Sequence, residues 1–117
     1  MAIITSHTLN GSNGSHAGGI SVYLKNLNSG AIVFHTSTDS GGRLNETVSP
    51  ESIDENARYE LVFKTRNYWE KQDKYKNKDR VIEEVVIRFK MLNKNKKYHF
   101  PIILSPNSYS TWWSEGE

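Results

Sequence analysis

Val85-Val86-Ile87-Arg88-Phe89-Lys90-Met91 changes character at every second residue. Val85, Ile87, Phe89 and Met91 alternate with Val86, Arg88 and Lys90. A period of two belongs to a β-strand, in which successive side chains leave on opposite faces. Two other stretches keep the same beat. Ile20, Val22 and Leu24 alternate with Ser21, Tyr23 and Lys25, and Tyr59, Leu61 and Phe63 alternate with Glu60, Val62 and Lys64. All three are rich in β-branched and aromatic residues. One face of each can enter a core while the other meets water or a partner.

Turn chemistry separates these runs. Asn10-Gly11, Asn13-Gly14 and Gly18-Gly19 punctuate the first connection, Asn28-Ser29-Gly30 forms a tight hairpin, and Asp39-Ser40-Gly41-Gly42 makes a further turn. The pattern predicts strands over residues 3–9, 20–27, 31–38, 42–46, 57–65, 83–91, 96–104 and 108–113. Eight short strands at this spacing make an all-β, two-sheet sandwich. One segment departs from the beat: residues 67–72 predict a short helix capped by Thr65 or Asn67. The lysine-rich residues 73–79 after it predict a mobile loop.

The chain has 117 residues, enough for one domain over residues 1–117. It contains no cysteine, which removes disulfides, thiolate metal sites and cysteine nucleophiles, and fits a cytoplasmic location. No apolar run approaches the roughly 20 residues that span a bilayer, so no membrane partner is expected. Residues 1–8 lack the basic-then-apolar pattern of a signal peptide. Net charge is only +2. The basic stretch Lys64, Arg66, Lys71, Lys74, Lys76, Lys78 and Arg80 is interrupted by Glu70, Asp73 and Asp79. It reads as a solvated surface, and no nucleic-acid partner is expected.

Four histidines are present, His7, His16, His35 and His99. His16 lies in a Gly/Ser/Asn loop and reads as solvated; His35 alternates with Phe34 and faces outward. His7 and His99 lie within strands, which fix direction better than a loop does. Composition alone makes each a structural histidine by default. Brought together across neighbouring strands, they would form a general acid/base pair, because imidazole titrates near neutral pH. A zinc site would need a third ligand, and neither residue has a cysteine, a His-x-His partner or a nearby carboxylate in sequence. Arg43 follows the Gly41-Gly42 turn; it is by default an exposed arginine, and functionally a two-pronged donor to a planar anion or carbonyl. Tyr109, Trp112 and Trp113 crowd the end of the chain, where a frayed terminus would waste them. They belong at an interface or in a ligand pocket.

Three of these segments resemble one known family. Thr5-Ser6-His7-Thr8-Leu9-Asn10 is similar to the opening strand of 5-hydroxyisourate hydrolases, and Asp39-Ser40-Gly41-Gly42-Arg43 to their turn ending in arginine. Tyr98-His99-Phe100-Pro101-Ile102-Ile103-Leu104-Ser105-Pro106, followed by Tyr109-Ser110-Thr111, resembles their C-terminal signature. The similarity holds register from about residue 4 to residue 112. It implies a transthyretin-like sandwich of two four-stranded sheets with a short helix, assembled as a homotetramer, a dimer of dimers. It also implies a site in the channel between dimers, where the residues matching His7, Arg43 and His99 form the polar centre. Vertebrate transthyretin shares this fold without the hydrolase activity, and there the three polar residues are replaced; this chain keeps all three. It departs from the family at its end. The family's Tyr-Arg-Gly-Ser aligns with Trp112-Trp113-Ser114-Glu115, so Trp112 keeps an aromatic plane and loses the hydroxyl. Asn10 stands where an aspartate is common.

The resemblance thus implies a hydrolase that opens the cyclic amide of 5-hydroxyisourate in urate breakdown, a small-molecule substrate taken without metal or organic cofactor. His7 and His99 would activate water, Arg43 would orient the flat substrate, and Trp112 would close one face of the pocket. Two alternatives stand beside it: a hydrolase of the same fold for another cyclic amide, and a non-catalytic ligand-binding protein.

Overall fold

A computed structural model describes residues 1–115. Its strands are β1 (Ala2–Asn10), β2 (Ser21–Asn26), β3 (Ile32–Ser37), β4 (Arg43–Val48), β5 (Tyr59–Lys64), β6 (Val85–Phe89), β7 (Lys97–Ser105) and β8 (Ser108–Thr111). They form two four-stranded sheets, ordered β4-β1-β7-β8 and β3-β2-β5-β6. Every neighbouring pair is antiparallel except β1 and β7, which run parallel in the middle of the first sheet. The expected sandwich, with all eight strands, is therefore present. A short 3-10 turn at Pro50–Ser52 is an addition to it.

The alternation seen in sequence becomes two faces. On the first sheet Ala2, Ile4, Leu44, Val48, Tyr98, Phe100, Ile102 and Leu104 point into the core, where they meet Val22, Leu24, Tyr59, Leu61 and Phe63 of the other sheet. The inward side of β1 turns polar toward its end, yet those groups are satisfied. Ser6 Oγ donates to the Phe100 carbonyl at 2.7 Å, Thr8 Oγ1 to the Ala17 carbonyl at 2.6 Å, and Asn10 Nδ2 to the Tyr68 hydroxyl at 3.1 Å. Buried polar groups left unpaired would each cost about 1–3 kcal/mol.

The helix α1 spans Arg66–Glu70, starting one residue earlier and ending two earlier than the spacing predicts. Thr65 occupies the cap position, but its hydroxyl makes no capping bond; it reaches the Glu83 carbonyl at 3.4 Å instead. So short a helix has little stability of its own. What holds it is Trp69, 1% exposed, packed edge-on against Tyr68 and Tyr75 with centroids 5.1 and 5.3 Å away. Tyr75 belongs to the polar segment that follows, a run of turns that this ring ties to the core. Among the described residues, no helix is long and apolar enough to cross a membrane.

Candidate active site

The outer face of the first sheet carries the odd-numbered residues of β1, β4 and β7. Register decides which of them meet. Across β1 and β4, His7 stands opposite Arg43 and Thr5 opposite Asn45. Across β1 and β7, Thr5 stands opposite His99 and His7 opposite Pro101. Ile102 pairs with Thr111 and His99 with Ser114, so the chain past β8 keeps the same register. Trp112 then falls opposite Pro101 and Trp113 opposite Phe100. One ladder row therefore reads Arg43, His7, Pro101, Trp112, and the next reads Asn45, Thr5, His99, Ser114.

The turn before β4 aims Arg43. Asp39 Oδ1 accepts from the backbone N–H groups of Gly41 and Arg43, both at 2.9 Å. Gly42 has φ +74°, and a Cβ there would lie 2.3 Å from the Thr8 carbonyl oxygen. Only glycine suits both the left-handed backbone and this approach. The Gly42 carbonyl in turn accepts from Thr8 N–H at 2.8 Å, locking the turn onto β1 beside His7.

Each candidate imidazole has a partner. The Nδ1 of His99 lies 2.8 Å from Thr5 Oγ1. The Nε2 of His7 lies 3.0 Å from Nδ1 of His16. Burial, then the charges of Lys97 and Arg43, hold the His99 imidazole below the ordinary histidine pKa. His7 is also held down, by burial first, then Arg43 and His16, with the Gly41 backbone and Asp39 opposing. Both rings are thereby biased toward the neutral form that can accept a proton.

An open cleft of about 380 Å³ lies on this face, with Arg43 and His99 among its walls together with Thr5, Asp39, Asn45 and Lys97. His7 and Trp112 are not among the walls; they lie in the adjoining ladder row. Trp112 is half-exposed on the same face as His99. Trp113 faces the other way, lining a separate apolar cavity of about 220 Å³ with Phe89, Tyr98 and Phe100. The segment that carries both tryptophans is strapped to β7. Ser114 N–H donates to the His99 carbonyl at 2.8 Å, and Lys96 bonds Glu115 at 2.9 Å while lying 5.1 Å from the Trp113 ring centroid.

The sequence singled out His7, Arg43 and His99, which the structure sets on one sheet face, but missed what supports them. His16 is exposed, as a loop residue should be, but it is not simply solvated, because its ring contacts His7. The available signal was the pair of Asn-Gly turns, which fold the loop back so that His16 bridges Leu9. Thr5 gave no signal beyond standing two residues before His7. His35 faces outward as expected, bonded to Ser21 Oγ at 2.9 Å.

Comparison with known proteins agrees with this architecture. The chain is 31% identical to a 5-hydroxyisourate hydrolase of Salmonella dublin over 112 residues, 94% of this chain and 79% of the relative. The structure of Klebsiella pneumoniae 5-hydroxyisourate hydrolase superposes with a TM-score of 0.77 at 23% identity, covering 97% of this chain and 99% of the other. Sea bream transthyretin in complex with thyroxine superposes equally well, at 0.77 and 19% identity, over 95% and 93% of the two chains. At such identities the superpositions establish the fold alone. The model of the HIUase/Transthyretin family matches residues 4–113, from the first strand to the tryptophan pair beyond the last. With all or nearly all of every strand inside that match, the chain belongs to the HIUase/Transthyretin family.

Proposed function

We propose that the protein is a hydrolase that opens the cyclic amide of 5-hydroxyisourate in urate breakdown. The observation that carries this reading is the convergence of Arg43, His7 and His99 on adjoining ladder rows of one sheet face, with Arg43 and His99 walling the same cleft. Family membership and the hydrolase relatives support it.

His99 takes the part of general base. Its Nδ1 is engaged by Thr5, so with the Thr5 hydroxyl accepting that proton, Nε2 presents its lone pair to the cleft. It removes a proton from water as the oxygen attacks the amide carbon. The Arg43 guanidinium orients the planar substrate and offsets the charge that develops on the carbonyl oxygen. The C–N bond then breaks, and a protonated imidazole returns the proton to the departing ring nitrogen. Trp112 bounds the substrate from the neighbouring row. No step needs a metal or organic cofactor.

The half-exposed Trp112 and the exposed Ile103 lie on the site's own face. Exposed apolar side chains of this kind gain by being covered. The assembly proposed is a homotetramer, a dimer of dimers, with this face lining the channel between dimers and the protein located in the cytoplasm.

Freshly generated 5-hydroxyisourate, followed by ultraviolet absorbance, tests the activity. Ring opening well above the buffer rate is expected, and loss of that acceleration in His99→Ala with the fold intact. A rate no faster than buffer would refute the reading. The indole at Trp112, in place of the family's tyrosine, favours a second reading: a related lactam turned over faster than 5-hydroxyisourate.

A further inference from the structure

The loop between β1 and β2 holds His16 more firmly than its exposure suggests. Asn10 N–H donates to the Ser15 carbonyl at 2.8 Å, and Gly14 N–H to the Asn10 carbonyl at 2.8 Å. Asn13 Oδ1 accepts from Ser15 N–H and Ser15 Oγ, at 2.9 and 2.7 Å. On the other side of His16, Ala17 is fully buried; its N–H donates to the Thr8 carbonyl at 2.9 Å, and its carbonyl accepts from Thr8 Oγ1. Both neighbours of His16 are thus pinned, and pairing with the outward-facing Leu9 sends its ring to the site's face. There its Nδ1 meets His7 Nε2 at 3.0 Å with ring centroids 5.1 Å apart.

We propose that His16 is a positioning residue of the site, donating its Nδ1–H to Nε2 of His7 and so fixing which nitrogen of His7 carries the proton. The inference rests on the hydrolase reading and deepens it. A neutral imidazole has one donor and one acceptor nitrogen. At 3.0 Å, one of the two facing nitrogens of His7 and His16 must donate and the other accept. In the proposed arrangement Nε2 of His7 accepts, which leaves the hydrogen of the neutral ring on its Nδ1. The Nδ1–H of His16 is then the donor that satisfies that Nε2. Nε2 of His16 then carries the pair's outward lone pair. A proton on His7 is opposed by Arg43 on β4, by His16 and by His99 on β7, while Asp39 in the turn before β4 favours it.

The test compares His16→Phe, His16→Asn and His7→Ala in the assembled protein. Asparagine places an amide N–H close to where the imidazole Nδ1–H sits; phenylalanine places none. His16→Phe should lower kcat by at least about tenfold with KM little changed, the scale expected when an orienting partner is lost. The acid limb of its rate profile should move to higher pH, because losing the donor to neutral His7 and losing repulsion from a charged His16 both make His7 more basic. His16→Asn should recover most of kcat. Nitrogen-15 chemical shifts should show His7 as the Nδ1–H tautomer in the parent protein and as a mixture in His16→Phe. A His16→Phe variant with unchanged kcat and pH profile, beside an inactive His7→Ala, would overturn this role while sparing the hydrolase reading. Failure of His16→Asn to improve on phenylalanine would overturn the donor role. Full activity of His7→Ala would remove His7 from the chemistry and this inference with it.

Discussion

His7 and Arg43 stand directly opposite each other across β1 and β4. Residues so paired on one sheet face have Cβ atoms about 5 Å apart, close enough for the guanidinium to act on the imidazole. Arg43 accordingly lowers the basicity of both His7 and His99. The cation proposed to orient the substrate thus adds to burial in biasing both imidazoles toward the neutral form.

That double role makes Arg43→Lys informative. Lysine keeps the charge and loses the planar fork. kcat/KM should fall on the order of a hundredfold, the cost of one well-placed oxyanion donor. Arg43 is exposed, so the melting temperature should hardly move. Steady-state rates beside a thermal melt check both.

Thr5 has one polar task on the site's face, holding Nδ1 of His99 at 2.8 Å. Thr5→Val keeps shape and removes the hydroxyl. With its ring free to turn and either tautomer open to it, His99 should lose on the order of tenfold in kcat, with KM nearly unchanged. Unchanged kcat would show that Thr5 does not orient the base.

The pH dependence has a definite sign. Burial first, then neighbouring positive charge, depresses His7 and His99 in the folded protein. Turnover should stay level as pH falls to about 6.5, the ordinary histidine value, and drop only below it. Stability follows the same direction. The folded state binds fewer protons than the unfolded chain, so the contribution of these rings is complete above the unfolded pKa and is lost as pH falls through the folded values. Rate profiles and urea midpoints between about pH 5 and pH 8 test this, and a rate that rises on acidification would refute it.

Gly42→Ala should damage both fold and site. The left-handed φ of +74° is strained for alanine, and its Cβ would meet the Thr8 carbonyl oxygen at 2.3 Å. Such strain costs about 1–3 kcal/mol before the clash is counted. Relief requires the turn to move away from β1, taking Arg43 with it. Urea unfolding should show the loss of stability, and residual activity should fall further than stability alone accounts for. Gly30→Ala serves as a control, since its φ is also positive, at +79°, but a Cβ there meets nothing within 4 Å.

Much of this molecule is legible in the order of its residues. Val85 through Met91 announces a strand because backbone pleating turns alternate side chains to opposite sides, a local effect that needs no partner. The same logic located all eight strands and placed His7, Arg43 and His99 on strands or at their starts. It failed locally at Thr65, whose hydroxyl turned to Glu83 across the fold instead of capping its helix.

Alternation says which side a residue faces, not which neighbour it meets. That is decided by register between strands distant in the chain. A shift of one residue between β1 and β7 would have moved His99 off the face of His7 and Arg43 altogether. The parallel pairing of Thr5 with His99 and the turn that seats Gly42 against Thr8 are contacts of this kind. Each becomes favourable only after the chain between has closed and the core has packed, so period, turn residues and composition determine the strands, and only the assembled sandwich decides which side chains meet across it.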